Sequence, residues 1–297
     1  MVNAVPKNSV FYGSPDECTK FEQRHPLWQE IMHNLERALN IAFTREHVTK
    51  GPEDKFVYFF GRECLEDFME ISLVCYHGYG VAASKLVRSM YERTVTLHYL
   101  HTHPEEAKTF MNYHLVQQDK LLNRLIETFG EDILPANQIA EVRRKADQVK
   151  ADFMVPVCDH PGAEMRLRHT WSKLDFVAMA KKTGALGTLV VPGYYLPLRH
   201  AHPTFGGLRE RLEIVDGRMG VSPDPQPELA DRSLMTAHNC MLVTLEVQKD
   251  YFKIEELNEP LELCCRDWAR VWSPESSSLT EPCLGPIEFH RLMAGTG

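Results

Sequence analysis

Apolar residues recur every three or four positions over long stretches of the chain, which is the spacing of one helical face. The strongest case runs from Tyr79 to His101, where apolar side chains fill a sector too broad for a surface helix. We therefore predict a central helix there, covered on more than one side. Further helices are predicted over residues 26–48, 53–76, 104–130, 136–153, 172–182 and 228–257.

The remaining segments lack this spacing. Residues 1–24 are predicted to be an irregular lead-in, and 258–297 a short helix followed by a loose tail. Loops are predicted over residues 154–170 and, before the closing helix, over the glycine- and proline-rich 206–227. The intervening residues 25–257 then form a single all-α domain, an antiparallel bundle of about six to eight helices.

Composition narrows the class of protein. With 43% hydrophobic and 25% charged residues, the 297-residue chain has ordinary globular values. A net charge of -8 argues against a broad nucleic-acid-binding surface, although a local basic groove is compatible with it. The N-terminal sequence lacks the features of a signal peptide, and no apolar run reaches the roughly 18 residues of a membrane span. We expect a cytoplasmic protein without a membrane partner, whose eight scattered cysteines are free thiols.

Sequence motifs for cofactors give little support for a nucleotide or metal site. Gly78, Gly80 and Ala83 match GxGxxA, but the segment before them has helical spacing and no βαβ unit follows. We therefore predict no nucleotide cofactor. Two clusters of histidines leave a metal site as an alternative, although no metal is expected because a hydrogen-bonded core histidine is the commoner role. The clusters contain His98, His101, His103, His200 and His202.

A polar pair marks the edge of the central helix. Arg88 and Glu92 lie one helical turn apart, either as a surface ion pair or as part of a buried network. In a buried network they need a facing polar group, for which Tyr195, Arg199 and His202 are the candidates.

A second spacing also suggests chemistry. Arg93 and His98 have the Arg-x4-His spacing of HEPN-type ribonucleases, which cleave RNA without metal and usually across a dimer. On an ideal helix, however, these two side chains point about 140° apart. Such a site would need a distorted helix, or Arg199 and His202 in place of this pair.

The chain resembles a bacterial all-helical domain family of unknown function in three segments, residues 86–122, 169–184 and 194–203. The resemblance extends over about residues 55–255, and the family is similar to HEPN-type proteins of defence and toxin systems. Family members often have a serine four residues before the last histidine, where this chain has Leu198. The family's characteristic residues correspond here to Arg88, Glu92, Phe110, Tyr113, Trp171, Tyr195 and His202.

Three functions follow as hypotheses. In the first, a HEPN-like factor of an antiviral defence or toxin system binds or cleaves RNA without metal: His202 acts as general acid or base, Arg88 stabilises phosphate charge and Glu92 orients Arg88. In the second, a non-catalytic interaction module uses the same residues for helix packing and binds a second copy or another protein. In the third, the histidine clusters form a metal-dependent hydrolase.

Overall fold

The computed structural model describes residues 15–46, 51–158, 160, 162–209, 211–215, 217–221 and 225–272. Within them the predicted all-α class is confirmed, with twelve α-helices and two short antiparallel hairpins. The elements are α1 Pro15–Arg24, α2 Trp28–Phe43, α3 Pro52–Tyr76, α4 Gly80–Thr102, α5 Ala107–Phe129, α6 Ala136–Lys150, β1 Met154–Pro156, β2 Met165–Leu167, α7 Phe176–Lys181, α8 Ala185–Thr188, α9 Leu196–Ala201, α10 Phe205–Arg209, β3 Leu212–Val215, β4 Arg218–Val221, α11 Pro227–Phe252 and α12 Asn258–Trp272.

Several predicted boundaries are wrong. The expected lead-in contains α1, whereas the helix predicted after residue 257 is present as α12, with 15 residues. Each predicted loop contains a hairpin: β1 pairs with β2, and β3 pairs with β4. The closing helix ends at Phe252, because Lys253 adopts a left-handed conformation with φ 55°. Residues 1–14 and 273–297 lie outside the described part of the chain.

The chain divides into two compact units: residues 1–101 with 179–297, and residues 102–178. The single domain over residues 25–257 stays a prediction.

The first unit is built around α11, which packs against α2, α3 and α12. Val57 of α3, Leu97 of α4 and Val247 of α11 meet in one buried cluster. On α4, Leu97 and Tyr99 point in nearly opposite directions and both are fully buried. The expected burial of the central helix on more than one side is therefore confirmed.

The second unit consists of α5, α6 and the β1–β2 hairpin, with α6 packed along α5. The hairpin register pairs Met154 with Leu167 and Pro156 with Met165. Phe153, immediately before β1, is fully buried and packs edge-on against Tyr113 of α5, with ring centroids 5.1 Å apart. This contact places the start of β1 beside the N-terminal half of α5.

Candidate functional site

Arg88 and Glu92 form an ion pair on α4. The Arg88 Nε donates to Glu92 Oε1 at 2.7 Å, and the two side chains are 22% and 41% exposed. The guanidinium carbon of Arg88 lies 4.7 Å from the centroid of the Tyr194 ring. A cation over an aromatic face is stabilised by the ring quadrupole. The aromatic ring that faces Arg88 is thus Tyr194, which is not among the residues that the sequence suggested.

A π-helical turn at Val191–Tyr195 accounts for the shift by one residue. A π-turn holds one residue more than an α-turn, so it changes which side chain faces α4. Gly193 packs flat on the ring of Tyr91, where a Cβ atom would come within 2.6 Å of Cγ. Tyr91 is itself fixed, because its hydroxyl donates to the carbonyl of Leu186 at 2.7 Å.

The three remaining candidates lie at the exposed side of this turn and along α9. Tyr195 is half-exposed and contacts Tyr194 edge-on, with ring centroids 5.4 Å apart. Arg199 and His202 are exposed, and His202 follows the last residue of α9 in an extended conformation. Among the described residues, no hydrogen bond or ion pair joins His202 to Arg88. The expected convergence of Arg88, Glu92 and His202 and their catalytic roles therefore stay predictions.

The Arg-x4-His spacing does not form a site either. Arg93 donates to Asp67 of α3, and its Nε lies 2.9 Å from Glu63 Oε2. Burial raises the pKa of Asp67, although the hydrogen bond from Arg93 opposes this shift. Arg93 thus ties α4 to α3.

The histidine clusters do not form a metal-binding group among the described residues. No group of three or more His, Cys, Asp or Glu side chains among the described residues could hold a metal ion. A metal hydrolase would need at least three of the histidines at one point, so we do not pursue the third hypothesis.

The glycines of the GxGxxA sequence have a packing role. Gly78 follows the last turn of α3 and adopts a φ of 81°. A dinucleotide site requires a β-strand at the position that α3 occupies. A Cβ atom on Gly80 would lie 2.5 Å from the carbonyl oxygen of Gln226, so only glycine allows this close approach.

Four of the described cysteines are buried core residues, namely Cys64, Cys75, Cys240 and Cys264. None of the seven cysteines in the described part of the chain forms a disulfide, as predicted, while Cys283 lies outside it. Burial raises the pKa of Cys64 to about 11, so at neutral pH it is a thiol and a poor nucleophile.

A cleft lies in the second unit, and the sequence indicated three of its lining residues, Phe110, Tyr113 and Trp171, only as characteristic residues of the resembled family. Its volume is about 450 Å³, and its walls come from two turns of α5 and from the segment before α7. The rings of Phe110 and Trp171 meet edge-on, with centroids 5.3 Å apart. The lining residues are Phe110, Met111, Tyr113, His114, Gln117 and Trp171. Their i, i+3, i+4 and i+7 spacing along α5 is the signal that could have identified it.

The hydroxyl of Tyr113 contacts the Lys120 side chain and the backbone of Arg168. The Tyr113 hydroxyl donates to the carbonyl of Arg168 at 3.1 Å, and Lys120 Nζ donates to both of these oxygens at 3.1 Å. The Arg168 guanidinium turns away to the carbonyl of Asp152, 2.9 Å from Nη2. Its carbon lies 5.2 Å from the centroid of Phe153, which holds the side chain in place.

Residues 54–219 match the DUF5677 family of unknown function, and this range exceeds half of the 297 residues. The chain belongs to this family. The predicted membership of a helical family of unknown function is thereby confirmed. No curated protein and no solved structure matches the chain.

The DUF5677 range contains both polar features. It includes the Arg88, Glu92 and Tyr194 contacts in the first unit and the whole aromatic cleft in the second. It excludes α11 and α12, which bury much of the first unit's core. Among the described helices of this DUF5677 protein, none is long and apolar enough to cross a membrane.

Proposed function

We propose that the protein is a non-catalytic interaction module in which Arg88, Glu92 and Tyr194 fix the π-helical turn and α9 against α4. The main support is that the Arg88 guanidinium already has two partners, the Glu92 carboxylate and the Tyr194 ring. A metal-independent ribonuclease needs a general base within about 3 Å of the attacking hydroxyl. Among the described residues, His202 makes no bond to Arg88 that would place it for this role.

The segment that this network holds presents apolar side chains to solvent. Val191 and Tyr195 are exposed on the π-helical turn, and on α10 Phe205 and Leu208 are 75% and 62% exposed. Large exposed apolar groups of this kind mark protein interaction surfaces. Two-fold dimers are the commonest assemblies of soluble proteins, so the partner proposed here is a second copy of the chain.

Sedimentation velocity over a concentration series tests this assignment. We expect the wild-type protein to form dimers and Phe205→Ser to sediment as a monomer, because a hydroxyl replaces the apolar contact. Leu121→Ser is the matched control, since Leu121 is an exposed leucine on α5. A wild-type protein that stays monomeric throughout the series would contradict the proposed partner.

RNA cleavage is the second candidate function. It is favoured by the exposed position of His202 at the end of α9, the helix that begins directly after the turn contacting Arg88. In this mechanism His202 transfers the proton, Arg88 stabilises phosphate charge, and Tyr195 and Arg199 contact the RNA. The protein would then be a cytoplasmic, HEPN-like factor of a bacterial defence system.

Incubation with mixed RNA, with and without chelator, separates the two functions. The interaction module leaves RNA intact in every lane. Cleavage that persists with chelator and is lost in His202→Ala would replace the first proposal by the second.

A further inference from the structure

The cleft of the second unit has the size and the lining of a small-molecule site. Its volume of about 450 Å³ lies within the range of about 300 to 1,000 Å³ that is usual for ligand pockets. Phe110, Trp171 and Tyr113 supply aromatic surface, on which a flat heterocycle stacks well. His114 and Gln117 are exposed at the same cleft, and the Gln117 amide offers both donors and an acceptor.

Lys120 adds positive charge beside this aromatic surface. It follows Gln117 by three residues on α5, which places both side chains on one face of the helix. Its ammonium group has three N–H donors, of which two are used by the Tyr113 hydroxyl and the Arg168 carbonyl. The third has no acceptor among the described residues.

Arg168 is a second cation, and it has no counterion among the described residues. The residue is only 9% exposed, and its Nε and Nη1 have no hydrogen-bond acceptor in the described part of the chain. No described carboxylate forms an ion pair with Arg168 or Lys120. Buried charges are nearly always paired, because removing them from water is costly. The environment of Tyr113 therefore favours an anion.

We propose that this cleft binds a nucleotide, with the base against Phe110 and Trp171 and the phosphate on the remaining N–H of Lys120. Arg168 stays buried and contributes its charge through space. The same chemistry could be supplied by a free mononucleotide or by one nucleotide of a single-stranded RNA. This site consists of other residues than those of the proposed function, and neither proposal depends on the other.

Isothermal titration calorimetry on the full chain measures this binding directly. Adenosine and uridine 5′-monophosphates are compared with the corresponding nucleosides and with inorganic phosphate. We expect saturable binding of the nucleotides, with the nucleosides at least about tenfold weaker because the charge-assisted bond to Lys120 is lost. Equal affinities for nucleotide and nucleoside would overturn the assignment of the phosphate.

Two substitutions test the two halves of the site. Phe110→Leu removes an aromatic face and should weaken nucleotide binding about fivefold or more. Lys120→Gln should weaken nucleotide binding about tenfold while leaving nucleoside binding unchanged. Damage to the fold would weaken both ligands, so this split separates phosphate recognition from a structural role.

Matched controls are Phe129→Leu and Lys108→Gln, which change exposed residues of the same helix outside the cleft. They should bind like the wild type. An unchanged affinity in both Phe110→Leu and Lys120→Gln would refute the site.

A single-stranded RNA octamer identifies the source of the nucleotide. If it binds more tightly than the mononucleotides and competes with them, the site receives a nucleotide of an RNA strand. If only mononucleotides bind, the ligand is a free nucleotide. Absence of saturable binding for both would overturn the proposal.

Discussion

His238 on α11 is a fully buried histidine, and its protonation in the folded protein is unfavourable. Its Nδ1 accepts a hydrogen bond from Trp272 Nε1 at 3.2 Å, so the neutral ring carries its proton on Nε2. That atom has no acceptor among the described residues. Burial lowers the pKa of His238 to about 3 from an ordinary value of 6.5. The folded protein therefore keeps this imidazole neutral in mild acid.

The consequence for stability follows from proton linkage. Below pH 6.5 the unfolded chain binds a proton at His238, whereas the folded chain does not until the pH approaches 3. The free energy of unfolding consequently decreases as the pH falls below 6.5, by about 1.4 kcal/mol per pH unit, and this loss levels off near pH 3. At pH 5 the loss from this one residue is about 2 kcal/mol.

Urea unfolding at pH 7 and pH 5 measures the effect. His238→Gln is the reference variant, because an amide oxygen can accept the Trp272 hydrogen bond without titrating. Other ionisable groups act equally in both proteins, so the wild type should lose about 2 kcal/mol more than the variant between the two pH values. Equal losses in the two proteins would refute the assignment of a neutral, buried imidazole.

Three further substitutions test the packing of the first unit by denaturant unfolding. Gly193→Ala should lower the free energy of unfolding by about 1 to 3 kcal/mol, because the added methyl group meets the ring of Tyr91. Gly206→Ala is the control and should change stability little, because its Cβ atom would lie 3.7 Å from the nearest neighbouring atom. Tyr91→Phe should cost about 1 to 3 kcal/mol, since the carbonyl of Leu186 loses its buried donor. Asp267→Ala should cost about 1.5 to 3 kcal/mol, because this buried carboxylate accepts hydrogen bonds from α2 and from its own helix. A loss below about 0.5 kcal/mol in any of the three would contradict the corresponding contact.

The long helices could be predicted because their apolar spacing persists over many turns. The bounds of α3 and α4 agree with the sequence pattern to within one residue at all four ends. The pattern fails in α1, which buries Phe21 as its one hydrophobic side chain in a polar sequence. The strands β1 and β2 have three residues each, too few for an alternating pattern to emerge.

In the candidate site, Arg88 and Glu92 could be predicted and the group that faces them could not. Their pairing follows from i, i+4 spacing on one helix, which is a local property. The facing residue depends on the π-helical turn at Val191–Tyr195, and a single inserted residue in a helix leaves no periodic signal in a short segment. The sequence therefore led to Tyr195, which lies one position after the true neighbour of Arg88.

Both polar features place an arginine against an aromatic ring, but they differ in charge balance. Arg88 on Tyr194 is neutralised by Glu92 and is partly solvated, so it needs no further partner. Arg168 on Phe153 is buried, and no described carboxylate balances it. A ligand that binds only the folded protein stabilises it by mass action, and an anion near an unbalanced cation gains the most from the low dielectric of the interior. Of the two arginines, Arg168 is therefore the one whose environment favours a bound anion, and it belongs to the second unit.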